Sequence, residues 1–127
     1  MPRSKMLRGI LAGLIAYAIF GKVGLYLLQV CWSDYDLHSI DKSFTVPMLV
    51  TRLLVGNIAS IVTGVFATKM GDNKGKSAWV VGILVFIGAV YVHFMTITWT
   101  EYPLWYHLTY VVPIVPVTGL SGFLARK

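Results

Sequence analysis

No aspartate or glutamate occurs in any of the four long apolar runs of this 127-residue chain; Asp34, Asp36, Asp41, Asp72 and Glu101 all lie between them. Charged residues make up only 13% of the sequence, against 57% hydrophobic, which leaves too little polar surface for a water-soluble domain. The single cysteine, Cys31, excludes an internal disulfide and offers no metal framework by itself. The glycines form neither a G-x-G-x-x-G nor a Walker pattern, so no phosphate-binding loop is encoded. Nucleophilic catalysis has equally little behind it, because Ser60 sits in a small-residue motif and no carboxylate lies at the depth of the nearest histidines. No motif names a reaction.

What is present is membrane-spanning length. The apolar stretches cover approximately residues 9–32, 46–68, 78–99 and 103–125, and each has the roughly 20 residues needed to cross about 30 Å of hydrocarbon. They also lack the one-faced periodicity of soluble helices. The expected fold is an all-α integral membrane protein, a four-helix antiparallel bundle forming one domain over residues 1–127. Arg3, Lys5 and Arg8 before a run with Ala16 and Ala18 imitate a signal peptide, but the run continues to Cys31 and reads as an uncleaved first helix.

The net charge of +6 follows the topology. Arg3, Lys5, Arg8, Lys69, Lys74, Lys76, Arg126 and Lys127 fall at one end of the predicted bundle; the opposite end has Lys42 against four acids. The positive-inside rule then places both termini in the cytoplasm, and nucleic acid is not an expected partner.

Between the first two spans, "SDYDLHSIDKSFTVP" has room for a short interfacial helix, while "TEYP" is so short that spans three and four must be antiparallel neighbours. Trp32, Tyr35, Trp99, Tyr102, Trp105 and Tyr106 gather at the outer ends as an aromatic belt. Gly9 and Gly13, and Gly56, Ser60 and Gly64, recur every four residues and predict close helix contacts. Pro113 and Pro116 release the carbonyls of Thr109 and Val112, which predicts a kink in the fourth span.

Each span also carries a basic or imidazole group in its outer half: Lys22, Arg52, His93 and His107. Lys22 lies about ten residues, or some 15 Å, from the end of its span, farther than its own stem reaches. Helical spacing adds Tyr26 and Gln29 beside Lys22, Gly56 and Ser60 beside Arg52, Thr96 beside His93, and Tyr110 beside His107. If the faces converge, they make an outward-facing polar pocket with Lys22, Tyr26, Arg52, His93, His107 and Tyr110 as its ligand-binding residues. A charge at mid-membrane costs roughly 2.5 to 3.5 kcal/mol on insertion scales, so a counterion is expected. It can come from Glu101, Asp34 or Asp36 folding inward, from another subunit, or from an anionic ligand; alternatively Lys22 stays neutral. Two histidines on neighbouring helices also raise bis-histidine haem b, and His38, His93 and His107 with an aspartate raise zinc, although neither has supporting spacing, and no cofactor is the primary expectation.

The stretches "NIASIVTGVFATKMGDNKGKSAWVVGILVFIGAV" and "PLWYHLTYVVPIVPVTGLSGF", in the C-terminal two thirds, resemble a loose group of small uncharacterised four-span bacterial membrane proteins. The resemblance implies a bacterial cytoplasmic (inner) membrane and no chemistry. With Lys22 where four-span multidrug exporters carry an essential glutamate, proton-coupled cation export is not implied. The functional expectation is binding of an anionic lipid or small-molecule group, in transport or lipid handling; the alternative is an accessory or assembly subunit of a larger membrane complex or a homo-oligomer.

Overall fold

The computed structural model describes residues 2–71 and 73–126, and among these the ordered elements are all helical. In chain order they are α1 (Pro2–Cys31), α2 (Ser33–Asp41), α3 (Val46–Met70), α4 (Lys76–Met95), α5 (Thr98–Glu101), α6 (Leu104–Val111) and α7 (Ile114–Ala125). Four segments are long and apolar enough to cross a membrane: α1, α3, α4, and α6 with α7 taken together. Their outward faces carry large apolar side chains such as Leu7, Ile15, Ile58, Ile87, Leu120 and Leu124, as lipid contact requires.

Local chemistry sets the boundaries. Thr45 caps α3, its hydroxyl accepting from the Met48 amide at 3.4 Å, and Pro47 occupies the first turn, where its missing N–H costs nothing. Lys42 ends α2 in the left-handed region at φ 61°. The third span is shorter than the apolar run suggests: Thr96 turns extended, its hydroxyl bonds back to the Val92 carbonyl, and residues 98–101 form the separate α5. The fourth span is interrupted between α6 and α7 at Val112 and Pro113, where Pro113 has no backbone donor to give, and Pro116 falls harmlessly in the first turn of α7.

α1 packs chiefly on α3, α3 on α7, and α4 on α7; α3 also meets α4 across the bundle, whereas the seam between α1 and α4 is thinner. At the end holding the termini the helices close on small residues. A Cβ on Gly9 would strike the Ala67 carbonyl and lie 2.8 Å from the Gly71 Cα; one on Gly64 would strike the Thr118 carbonyl and the Ser121 hydroxyl. Gly122 is equally confined by Ala78. Backbones can approach this closely only without side chains, which is how helices gain dispersion energy in lipid. Farther along, a Cβ on Gly21 or Gly88 would meet nothing within 4 Å. The bundle is therefore shut at the end with the termini; past Gly13 space opens beside Gly21 of α1 and Gly88 of α4, while α1 still crosses α3 closely at Gly24, where a Cβ would lie 2.5 Å from Val55.

Candidate functional site: an arginine in an aromatic box beside a histidine pair

Arg52 projects from the second turn of α3. Its Nη1 donates to the Tyr35 hydroxyl at 2.6 Å and its Nε to the Tyr106 hydroxyl at 3.1 Å. The guanidinium lies 5.1 Å from the Phe44 ring centroid and 5.2 Å from that of Tyr102. These rings brace one another: Tyr35 stacks on Phe44 at 5.1 Å, Phe44 on Tyr102 at 5.8 Å, and Tyr102 on Tyr106 at 4.7 Å. Tyr35 and Tyr106 are each only 1% exposed, so the box is built into the protein and is not a surface belt. A planar, always-charged guanidinium suits such a site, since its edge donates hydrogen bonds while its face sits over π-systems.

Arg52 has no carboxylate in ion-pair reach among the described residues. Two of its five N–H groups are used by the tyrosines. It lines a cleft of about 330 Å³, together with Lys42, Glu101, Tyr102, Tyr106 and His93. Burial raises the Tyr102 phenol above its ordinary value, with the Arg52 charge opposing, so this wall of the cleft stays neutral.

A second polar unit adjoins the first. His93 near the end of α4 and His107 in α6 face each other with their Nδ1 atoms 2.8 Å apart, and His107 Nε2 lies 3.2 Å from the Trp99 carbonyl. A carbonyl can only accept, so His107 carries its proton on Nε2; its Nδ1 is then the acceptor, and His93 donates from Nδ1. The neutral pair thus has one consistent tautomer assignment. It leaves His93 Nε2 as a lone-pair acceptor with no partner among the described residues. His107 is fully buried, sandwiched against Trp99 at 5.2 Å, and His93 stacks on Tyr110 at 4.6 Å. Tyr110 in turn shares a 2.8 Å hydroxyl contact with Tyr17 of α1, and Gly56 provides the space for its ring, since a Cβ there would be 2.9 Å from it.

Arg52, His93, His107 and Tyr110 are therefore brought together. Lys22 and Tyr26 are not: both lie on the exposed face of α1, Tyr26 being 63% exposed, and neither lines the Arg52 cleft. The expected convergence fails for α1 because its buried stripe runs through Gly9, Gly13 and Ala16, and the Lys22 to Tyr26 to Gln29 face is turned away from it. Gln29 instead reaches Ser39 of α2 at 3.3 Å. The acids expected to fold inward form no ion pair with Arg52; Glu101 alone lines the cleft.

Tyr35, Phe44, Tyr102 and Tyr106 are site residues that sequence reading assigned to the belt or passed over. The available signal was the crowding of aromatics in the short segments flanking a span with an uncompensated arginine. As placed, the histidine pair is a hydrogen bond at 2.8 Å: two nitrogens on one tetrahedral zinc stand about 3.3 Å apart, and two on opposite sides of a haem iron about 4 Å, while His107 Nε2 is already engaged. His38 lies apart on α2 against Ser43, and no metal-holding group of three His, Cys, Asp or Glu side chains occurs among the described residues.

No family model matches the chain, and neither a curated protein nor a solved structure is similar to it.

Proposed function

We propose that this protein is a four-span component of a bacterial cytoplasmic membrane, with both termini in the cytoplasm, that binds the phosphate or carboxylate of a lipid or small molecule at Arg52, in lipid handling or transport. The basic residues at the end with the termini support the orientation. The observation that carries the binding reading is a guanidinium enclosed by four aromatic rings, lacking a protein counterion among the described residues, on the wall of a cleft. The tyrosine bonds and ring faces hold the guanidinium in place without cancelling its charge, and an incoming anion meets a preformed, fixed donor on the wall of a cleft.

Native mass spectrometry of the protein extracted in mild detergent tests this. The wild type is expected to carry an anionic lipid or metabolite, Arg52→Gln to lose it, and Arg52→Lys to retain it more weakly. Wild-type protein without any adduct, or an adduct unchanged in Arg52→Gln, refutes the reading.

Lys22 favours a second reading. It is exposed on α1 near the middle of a span, and no acid of this chain's own spans can neutralise it. An accessory subunit would meet there an aspartate or glutamate on a helix of a larger complex. Co-purification decides: a partner released by Lys22→Met but kept in Arg52→Gln supports the subunit role, and a chain that isolates alone from native membranes argues against it.

A further inference from the structure

The Arg52 cleft is not the only opening on the α1–α4 side. A second cleft, of about 380 Å³, is walled by Leu14 and Tyr17 of α1 and by Leu84, Val85 and Gly88 of α4. Val92, His93 and Tyr110 line both clefts, so the two share a wall. On α1 the lining residues of the second cleft, Leu14 and Tyr17, continue into Gly21 and Leu25 of the first at intervals of three to four residues, which is one helical face. From Leu14 to Leu25 that face extends about 16 Å.

The chemistry changes along this groove. The end near α2 and α5 holds the guanidinium of Arg52; the end toward the middle of the bundle is apolar apart from Tyr17, Tyr110 and His93. At the junction sits His93, its Nε2 without a partner among the described residues and fixed as an acceptor by the His107 and Trp99 chain. Gly21 and Gly88 keep the two halves open, because no atom lies within 4 Å of where their Cβ would be.

We infer that the ligand is a single-chain anionic amphiphile: its phosphate or carboxylate meets Arg52, and its alkyl chain runs along α1 and α4 past Gly88, with His93 accepting from a donor at the neck. The inference rests on the anion reading of Arg52 and adds the chain and its path. A charged head near one membrane face and a tail pointing inward is also how such a molecule already lies in a leaflet, so it can enter sideways through the thin α1–α4 seam without leaving the bilayer.

The probe is dodecyl phosphate with a diazirine at the chain end, applied to the full-length protein in phosphatidylcholine nanodiscs, with butyl phosphate as a head-only competitor. Labels are expected on residues 14–17 and 84–89, above the level at the outward-facing Ile58 and Leu120. Arg52→Gln and saturating butyl phosphate should each cut groove labelling by about tenfold, the effect of losing one strong charge-assisted contact. Gly88→Leu, which enters open space, should remove groove labelling while leaving Arg52-dependent butyl phosphate binding intact; Leu84→Trp is a second block on the same wall. Labels spread evenly over the lipid-facing surface, with butyl phosphate binding still dependent on Arg52, would overturn the amphiphile inference and spare the anion site. Head binding indifferent to Arg52→Gln would overturn the anion site itself.

Discussion

Replacing Arg52 by glutamine removes the group around which one end of the bundle is organised. Two hydrogen bonds to a charged donor contribute about 1.5 to 3 kcal/mol each, and two aromatic faces add about 1 kcal/mol each at a half-buried site. Against them stands the cost of holding a charge within the membrane, roughly 3 kcal/mol. The aromatic contacts do not cancel this cost alone; with the hydrogen bonds they exceed it, and the expected net destabilisation is about 3 kcal/mol. The reason is specific: Tyr35 and Tyr106 are buried, and without the guanidinium their hydroxyls lose the donor that satisfies them. A double-mutant cycle isolates the coupling. Unfolding of wild type, Arg52→Gln, Tyr35→Phe and the double variant in detergent micelles should give a coupling of about 1.5 to 3 kcal/mol. Additive effects, or an Arg52→Gln variant as stable as wild type, would refute the aromatic box, because an arginine snorkelling freely to the interface gains from its removal and does not sense Tyr35.

The histidine pair makes a spectroscopic prediction. With both rings neutral, nitrogen-15 spectra of selectively labelled protein should assign His107 as the Nε2–H tautomer and His93 as the Nδ1–H tautomer; the same tautomer in both would contradict the orientation set by the Trp99 carbonyl. The glycines separate by position. Gly64→Ala and Gly122→Ala should lower the unfolding temperature, since each new methyl meets backbone or Ala78, while Gly21→Ala should be neutral or raise stability by up to about 1 kcal/mol on the aqueous helix scale. Equal effects at the three sites would mean the helices do not close where the structure puts them.

Length and hydropathy alone determined the four spans, and the close crossings at Gly9, Gly13 and Gly64 were legible because helices in lipid can approach only through small residues. The interruption near Pro113 was legible too, since proline lacks the donor a continuous helix needs. Arg52 announced itself as a charge in a span without an acid. What surrounds it could not be read, because Tyr35, Phe44 and Tyr102 come from segments outside the spans, whose sequence carries no helical register to the bundle. The same limit explains Lys22. Spacing groups it with Tyr26 and Gln29, yet which face of α1 is inward depends on where Gly9, Gly13 and Ala16 find their partners on α3 and α4. Periodicity within one helix defines faces; only the packing of several helices decides which face meets which.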